Sequence, residues 1–248
     1  MFFSLITPAA GQDREALHER FGGPYADHQW LWRWFPVDPQ ARRDFLFRRH
    51  EGPDGLRYYL LSSRPPLEQL GAWRAVTRPY APQLDGGDVL TFELRANPTV
   101  RHGHGGKSRR HDVVMNAKRM LLDSRGLARW ADWPEEDESR PSSAQLVHDA
   151  CSAWLDQRAL RCGFAVEASS LRVEGYDQHH EQPDRNLRFS TVDFSGQLTV
   201  VDPEAFRVAL MSGIGSAKAF GCGLMLVRRL APAGPWVVRW CRRSGRFG

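Results

Sequence analysis

The chain has 248 residues and a formal net charge of +5, and 42% of its residues are hydrophobic. This length and apolar content allow two small domains or one large one, and no apolar run is long enough to cross a membrane. The four cysteines form no CxxC pair and have no histidine at metal-ligand spacing, which argues against a structural zinc. We therefore expect a cytoplasmic protein with reduced thiols, no metal and no cofactor. The clustered arginines favour a partner that carries phosphate.

In the first part of the chain, the hydrophobic pattern and the turn residues predict elements in the order β, α, β, β, α. The strands are predicted over residues 2–7, 45–50 and 56–62 and the helices over residues 25–35 and 65–74, and residues 13–20 form a polar stretch with helix character. This order is that of half a ferredoxin-like unit or more. Residues 1–88 are therefore predicted to form the first domain.

The second predicted helix contains the first candidate site residues. Tyr25 and His28 are three positions apart, so their side chains share one helical face. Trp30, Trp32 and Trp34 could stack on bases, but tryptophans in a helical segment more often belong to a core. A single histidine near the start of a helix is also more often structural, so the pair alone does not establish a site.

The rest of the chain predicts a second unit with the order β, α, β, β, α, β. Its strands are predicted over residues 89–96, 171–176, 188–194 and 224–227, and its helices over residues 144–158 and 203–211. Residues 197–201 are predicted to pair back through a Ser-Gly turn at 195–196, and residues 177–186 to form a polar connection. Residues 124–143 are rich in charge, Pro and Ser and predict a loop or a mobile insertion. The second domain thus spans residues 89–230, and we expect disorder in the remaining basic tail, residues 231–248.

A basic segment lies between the first strand and the first helix of this second unit. Its glycines, Gly103, Gly105 and Gly106, predict an exposed hairpin or loop that would lay positive charge on a phosphate backbone. The alternative is a solvated charge run that binds nothing in particular. The basic residues of the segment are Arg101, Lys107, Arg109, Arg110, Lys118 and Arg119, with His102, His104 and His111.

A second glycine-rich segment follows the last predicted helix, and it contains Lys218. Glycine lets phosphates approach peptide N–H groups without a Cβ in the way, so the segment predicts a polyanion cradle. The alternative is a glycine-rich connection that serves packing only. The candidate phosphate-binding residues here are Gly213, Gly215, Ser216, Gly221 and Gly223.

Two nucleotide-binding motifs fail against this segment. The P-loop needs the lysine after the second glycine of the motif, whereas Lys218 precedes Gly221. The dinucleotide fingerprint needs strand, loop and helix in this order, whereas here a helix precedes the glycines and a strand follows them. An enzyme that binds ATP or NAD on these glycines is therefore disfavoured.

Six stretches of the chain, taken together and in order, resemble the CRISPR-associated endoribonucleases that process guide RNA in type I-E systems, the CasE family. The strand that ends in Leu-Arg-Ala-Asn-Pro and the closing glycine segment are the most specific of the six. The resemblance covers residues 1 to about 230. The stretches are PYADH at 24–28, FELRANP at 92–98, GKSRR at 106–110, AWL at 153–155, FSGQLTVVDP at 194–203 and GIGSAKAFGCGL at 213–224.

The resemblance implies an α+β fold of two tandem ferredoxin-like (RRM-like) βαββαβ domains. It also implies metal-independent cleavage of a CRISPR repeat hairpin, with the product retained in the Cascade complex. In that family the histidine that matches His28 is catalytic, and a tyrosine that matches Tyr25 assists it in some members. The resemblance places Lys218 near the RNA backbone and the basic hairpin on the RNA stem. The expected partners are repeat RNA and Cascade subunits, without direct binding to DNA or a membrane, and we expect a monomer outside the complex.

RNA carries its own nucleophile, so such an enzyme needs only to deprotonate a 2′-OH, hold it in line with phosphorus and protonate the leaving 5′ oxygen. The products would be a 2′,3′-cyclic phosphate and a 5′-OH. His28 suits either proton transfer, as general base or as general acid, and Lys218 would stabilise the transition state electrostatically. The rival hypothesis is a noncatalytic subunit that binds hairpin RNA by shape and phosphate contacts.

Overall fold

The computed structural model describes residues 1–20, 24–35, 43–53, 55–104, 107–181 and 187–230. Within these ranges it gives the backbone alone for residues 24–25, 104, 107–108, 180–181 and 187. The basic tail predicted at 231–248 lies outside the described residues. No helix in the described ranges combines the length and the apolar character needed to cross a membrane.

The first sheet is built from the N-terminal part of the chain. Its strands lie in the order β2-β3-β1-β5-β4, and each neighbouring pair is antiparallel. Four of these strands reproduce the order of a ferredoxin-like sheet, in which the first strand lies at the centre between the third and the last. The elements are β1 (Phe2–Pro8), α1 (Asp13–Glu19), α2 (Pro24–Trp32), β2 (Phe45–Gly52), β3 (Gly55–Ser62), β4 (Gln69–Leu70) and β5 (Trp73–Pro79).

The helix predicted over residues 65–74 was wrong. The structure has β4, a turn and the start of β5 there. Pro65 and Pro66 have no N–H groups to continue a helix, and Gly71 has a positive φ of 57° that helices do not use. Trp73 and Ala75 are buried while Arg74 is exposed, which is the two-residue period of a strand. The first ferredoxin-like domain therefore has no helix between its third and last long strands.

The second sheet lies in the C-terminal part of the chain, in the order β10-β11-β6-β12, with β9 also paired to β11. This is again the ferredoxin-like order, and α3 and α4 pack beside the same core. The elements are β6 (Val89–Ala96), β7 (Thr99–His104), β8 (Lys107–Asp112), α3 (Val113–Arg125), α4 (Ser143–Arg161), β9 (Phe164–Val166), β10 (Arg172–Glu181), β11 (Leu187–Val200), α5 (Pro203–Ser212) and β12 (Met225–Arg229).

Two predictions within this sheet were wrong. The Ser-Gly pair at 195–196 is not a turn, because β11 runs through it as a single strand of 14 residues. Gly196 instead allows a close approach, since a Cβ there would lie 3.0 Å from the carbonyl oxygen of Ser170. It also lies between the residues of β11 that pair with β10 and those that pair with β9. Residues 177–181 of the predicted polar connection are likewise part of β10, and residues 182–186 lie outside the described residues.

The segment predicted as a loop, residues 124–143, is largely irregular but is packed around one tryptophan. Trp133 is only 2% exposed, and its Nε1 donates to Asp137 Oδ2 at 2.9 Å. The guanidinium of Arg125 lies 4.1 Å from the centre of the Trp133 ring. A buried aromatic ring therefore organises this part of the chain despite its polar composition.

The two sheets meet along β2. Leu46 and Leu61 of the first sheet form a buried cluster with Leu224, which directly precedes β12. Arg48, which is 7% exposed, lies 3.4 Å from a Glu93 carboxylate oxygen and 3.6 Å from one of Asp193. Apolar burial and ion pairs thus hold the two ferredoxin-like units against each other.

Candidate active site and nucleic-acid interface

His28 is half-buried on α2, where that helix faces β2. Its ring centre lies 6.3 Å from the ring centre of Phe45, the first residue of β2. Trp32, one helical turn further along, donates from Nε1 to His28 Nε2 at 3.2 Å. Because an indole N–H only donates, Nε2 is the acceptor and the proton of the neutral imidazole lies on Nδ1. Trp30 and Trp34 are buried in the core, as predicted, whereas Trp32 is a neighbour of the candidate catalytic ring.

A buried polar network fixes the helix at the residue before His28. Asp27 is 2% exposed and accepts from the Tyr58 hydroxyl at 2.7 Å. Arg20 forms an ion pair with the same carboxylate, and Arg49 Nη1 lies 3.3 Å from its second oxygen. Burial, followed by the negative charge of Asp27, raises the pKa of Tyr58. The network links α2 to strands β2 and β3 and thereby sets the position of His28.

The backbone of Tyr25 lies in α2, one turn before His28. Its side chain lies outside the described part of the chain. The shared helical face therefore follows from the helix itself, while contact between the two side chains stays a prediction.

The glycine-rich segment has the predicted order of helix, loop and strand, between α5 and β12. Asp202 caps α5, since its carboxylate accepts from the backbone N–H groups of Glu204 and Ala205 at 3.0 Å each. Within the loop, a 3₁₀ turn spans Lys218–Phe220 and packs against α2. Lys218 Nζ donates to the carbonyl oxygen of Ser212 at 2.7 Å. The helix of His28 and the turn of Lys218 are therefore direct neighbours.

The glycines of this segment pack closely against other elements. A Cβ at Gly213 would lie 2.8 Å from Leu46 Cδ1, and one at Gly221 would lie 3.2 Å from Phe47 Cε2. A Cβ at Gly215 would lie 3.3 Å from the ring of Trp154. Glycine is needed here because the loop lies between β2 and α4, so packing accounts for much of the glycine content. Contact of these glycines with phosphate stays a prediction.

Arg43 is a functional candidate that the sequence analysis did not single out. Burial, followed by the positive charge of Arg43, lowers the pKa of His28 below its ordinary value of 6.5. The same two causes, in the same order, lower the pKa of Lys218. His28 is therefore neutral near pH 7, which is the form that can accept a proton.

A cleft of about 560 Å³ lies beside this pair of elements. Its described lining contains five cationic side chains and no carboxylate, and Arg101 and Arg110 are directly opposite each other on strands β7 and β8. Such a lining suits a polyanion. The lining residues are Thr99, Val100, Arg101, Arg110, Trp154, Gln157, Arg158, Arg161, Gly213, Gly215, Ser216 and Lys218. Among the predicted residues, the cleft brings together Arg110, Gly213, Gly215, Ser216 and Lys218, but His28 is not part of its lining.

Arg158 and Arg161 of α4 were missed by the sequence analysis, which considered only the apolar side of that helix. They stand three positions apart in its last turn, on the same face as the cleft. The guanidinium of Arg158 lies 5.2 Å from the ring centre of Trp154. The sequence does contain a pattern that indicates this face: Arg158 and Arg161 follow Trp154 at intervals of four and three residues, which is helical spacing.

Where their side chains are described, the remaining predicted RNA-binding residues do not line the cleft. The basic segment does form the predicted hairpin, which consists of β7 and β8. Lys118 and Arg119 had been predicted to belong to this segment, but they lie in α3. Lys118 Nζ lies 4.9 Å from the ring centre of Trp130, and Arg119 is paired with Asp123 at 3.6 Å. Arg109 is exposed on β8, and the side chain of Lys107 lies outside the described part.

Ser216 ties the glycine loop to the end of β6. Its hydroxyl lies 2.7 Å from Asn97 Oδ1 and 3.2 Å from the hydroxyl of Thr99. Asn97 in turn donates from Nδ2 to the carbonyl oxygen of Ser190 at 2.6 Å.

Across the described residues, no group of three or more His, Cys, Asp or Glu side chains is arranged to hold a metal ion.

Comparison with known sequences gives a consistent assignment over most of the chain. A family model described as "CRISPR associated protein" matches residues 1–229. The CRISPR system Cascade subunit CasE of Escherichia coli is 33% identical over 210 residues, which are 81% of this chain and 89% of that protein. The CRISPR-associated endoribonuclease Cse3 of Thermus thermophilus is 31% identical over 150 residues, 60% of either chain.

Solved structures of related proteins share the fold. A structure of the CRISPR endoribonuclease Cse3 bound to a 19-nucleotide RNA matches with a TM-score of 0.63 and 22% identity, over 92% of this chain and 98% of that one. The crystal structure of Cas6e from Escherichia coli matches with a TM-score of 0.57 and 25% identity, over 93% of this chain and 100% of that one. These matches confirm the predicted α+β fold of two tandem ferredoxin-like domains.

Proposed function

This chain belongs to the family of CRISPR-associated proteins, and from that premise we propose that it is an endoribonuclease that cleaves the repeat hairpin of CRISPR precursor RNA. It acts without a metal ion and stays bound to the mature guide RNA as a subunit of a Cascade complex. One observation carries the proposal. A neutral histidine, His28, lies on a helix that packs against the turn of Lys218, and Lys218 lines a cleft with five cations and no carboxylate.

RNA binds along the cleft between the β7–β8 hairpin and the end of α4. Arg101 and Arg110 contact phosphates from the hairpin side, and Arg158 and Arg161 contact them from the helix side. Such contacts release counterions and depend little on base sequence, so they position the strand and leave sequence recognition to other groups. Lys218 stands where this strand reaches α2.

His28 acts as the general base. Its Nε2 takes the proton of the ribose 2′-OH, which displaces the Trp32 N–H as hydrogen-bond donor to that nitrogen. The 2′ oxygen then attacks phosphorus and the bond from phosphorus to the 5′ oxygen breaks. The leaving 5′ oxygen takes a proton from solvent water, and the protonated His28 returns its proton to the solvent. Lys218 offsets the charge that develops on the phosphorane, and Tyr25 orients the 2′-OH or the phosphate. The products are a 2′,3′-cyclic phosphate and a 5′-OH.

The test is cleavage of a synthetic CRISPR repeat hairpin by the purified protein in excess EDTA. We expect one cut with 2′,3′-cyclic phosphate and 5′-OH ends, no cut when the ribose at that position is 2′-deoxy, and a loss of about 10² to 10⁴-fold in His28→Ala. Loss of cleavage in EDTA that added Mg²⁺ restores would contradict the metal-independent mechanism. Full single-turnover cleavage by His28→Ala would remove His28 from the reaction.

A noncatalytic RNA-binding subunit is the second candidate, because His28 is not among the residues that line the cationic cleft. Lys218 lines the cleft, and its turn packs against the helix of His28, so a bound RNA would have to extend beyond the cleft lining to reach the histidine. A noncatalytic subunit would retard the repeat hairpin in a native gel but leave it intact in a denaturing gel. An endoribonuclease produces the cut strand in the same samples.

A further inference from the structure

Arg43 stands at the edge of the site, two residues before β2 begins at Phe45. It is half-buried, and its Nη1 is fully buried without a hydrogen-bond partner in the described part of the chain. The adjacent carboxylate of Asp44 does not neutralise it, because Asp44 is paired with Arg64 at 2.8 Å. One buried N–H group of a cation is therefore left with no acceptor.

The charge of Arg43 acts on both other basic groups of the site. It lowers the pKa of His28 on α2 and the pKa of Lys218 on the 3₁₀ turn, in each case after burial. Burial also lowers the pKa of Arg43 itself. Asp27, the carboxylate next to His28 in the chain, is already held by Arg20 and Tyr58. The site thus has two cations around a neutral imidazole and no described carboxylate that pairs with Arg43.

Such an arrangement is unfavourable in the free protein. Burying a charged N–H without an acceptor costs free energy, and placing it near a lysine adds repulsion. Perturbed groups of this kind concentrate at functional sites, where a ligand supplies the missing partner. An anion between Arg43, His28 and Lys218 would satisfy the free N–H and neutralise the repulsion together. A guanidinium is well suited to this because its fork of donors matches the oxygens of a phosphate.

We propose that Arg43 is a further catalytic residue, whose Nη1 donates to a nonbridging oxygen of the scissile phosphodiester. Together with Lys218 it stabilises the pentacoordinate phosphorus, while His28 removes the 2′-OH proton. This inference rests on the proposed function, since it requires the phosphate to lie between these three side chains. Arg43 would thus contribute a cation from the domain that carries His28, and Lys218 contributes a second cation from the other domain.

The test measures single-turnover cleavage of the repeat hairpin by the full chain, with Arg43→Gln and Arg43→Lys as variants. We expect a loss of about 10² to 10³-fold in rate for Arg43→Gln and a smaller loss for Arg43→Lys, which keeps the charge. RNA affinity should fall only by the share of one phosphate contact. The pH profile of the cleavage rate gives a second readout. Removing the Arg43 charge raises the pKa of His28, so the fall in rate at low pH, the acid limb of the profile, moves to higher pH. Arg43→Lys keeps the charge and should leave that limb in place, whereas looser packing around His28 would move it in both variants.

A phosphorothioate at the cut site distinguishes contact from indirect effects. Sulfur in place of the contacted nonbridging oxygen should slow the wild-type protein and add little to the defect of Arg43→Gln, since the two changes remove one interaction. The matched control is Arg74→Gln, an exposed arginine on β5, which lies three strands from β2 in the sheet. It should cleave at the wild-type rate.

The outcomes separate this inference from the function on which it rests. Wild-type cleavage with an undiminished rate in Arg43→Gln, or an equal sulfur effect in both proteins, would overturn the role of Arg43 and leave the endoribonuclease intact. If the wild-type protein does not cut the repeat hairpin, both the role of Arg43 and the proposed endoribonuclease function are overturned. If Arg43→Gln lowers the unfolding midpoint, the rate and the sulfur effect in Arg43→Lys decide the question.

Discussion

Trp32 and His28 are joined by a hydrogen bond from the indole Nε1 to the imidazole Nε2, at 3.2 Å and one helical turn apart. This hydrogen bond occupies the lone pair of Nε2, which accepts the 2′-OH proton in the proposed reaction. It therefore fixes which nitrogen of the neutral ring is unprotonated before RNA arrives. The same indole packs edge-on against Phe45 of β2, with ring centres 5.4 Å apart, so its own position is set by the fold.

Replacing Trp32 by Phe should raise the pKa of His28. The ring of Phe retains much of the packing on Phe45 but has no N–H to stabilise the unprotonated Nε2. A hydrogen bond of this kind contributes about 1 kcal/mol net, and here it favours the unprotonated ring. NMR titration of the His28 ring measures the change, with His50 in the same protein as an internal reference. An unchanged or lower pKa of His28 would show that the bond does not act in solution.

The pH dependence of cleavage reports the role of His28 directly. Burial and the Arg43 charge lower its pKa below 6.5, so a general base is fully active near pH 7 and loses activity as the pH falls through the lowered pKa. A general acid would show the reverse, with activity falling as the pH rises through that value. Single-turnover rates from about pH 4.5 to about pH 8 decide between them.

A substrate with sulfur in place of the leaving 5′ oxygen gives an independent test of that role. Sulfur leaves without protonation, so it relieves the need for a general acid but not for a general base. We expect His28→Ala to remain slow on this substrate, as the general-base role requires. Recovery of the rate would assign His28 to protonation of the leaving group instead.

Asp27→Asn should destabilise the protein strongly, because Arg20 and Arg49 would lose their shared buried carboxylate. Breaking a buried ion pair from one side costs about 3 to 5 kcal/mol. The control is Asp123→Asn, which removes an exposed pair with Arg119 and should cost about 0.5 kcal/mol or less. Urea unfolding of both variants checks the difference. Equal free energies of unfolding would mean that the Asp27 network contributes no more than a surface pair.

Gly223→Ala should be more costly than Gly87→Ala, although both glycines have nearly the same positive φ, 92° and 89°. A Cβ at 223 would lie 2.9 Å from the carbonyl oxygen of Ile214, whereas nothing lies within 4 Å of one at 87. The left-handed conformation alone costs about 1 to 2 kcal/mol, and the clash adds about 1 to 3 kcal/mol. The difference in free energy of unfolding isolates the packing contribution of the glycine loop. A Gly87→Ala variant as unstable as Gly223→Ala would refute it.

Arg158→Gln and Arg161→Gln should weaken RNA binding without changing the rate of cleavage at saturating protein. Each removes about one phosphate contact, so the slope of log K against log salt should decrease by about 1 for each variant. Arg14→Gln on the exposed face of α1 is the matched control and should leave both slope and affinity unchanged. An unchanged salt slope in both cleft variants would place the RNA elsewhere.

The sequence predicted the local features well, because short-range patterns determine them. The strands at 45–50 and 56–62 and the helix–loop–strand order around Lys218 all depend on residues close together in the chain. The failed helix at 65–74 shows the limit. Its apolar residues are numerous enough for a helix, but the buried set of Trp73 and Ala75 has the period of a strand, and pairing with β1 selects the strand.

The parts of the site that the sequence did not reveal depend on contacts between distant elements. Arg43 lies outside every motif, and its importance follows only from the packing of α2 against the turn of Lys218. Arg158 and Arg161 are ordinary residues at the end of a helix until β7 and β8 are placed beside them. The spacing of the two arginines after Trp154 is a local pattern, but it does not encode these neighbours. His28 could be singled out because the stretch that contains it takes part in the family resemblance.

The close fit of Gly213 on Leu46 and of Gly221 on Phe47 limits how this protein could be recombined with its relatives. A chimera that joins one homologue's amino-terminal half to another's carboxy-terminal half inherits two surfaces shaped for different partners. Bulkier side chains at the two β2 positions would push the loop, and Lys218 with it, away from α2. Exchange of halves should therefore yield active hybrids only when β2 travels together with the glycine loop.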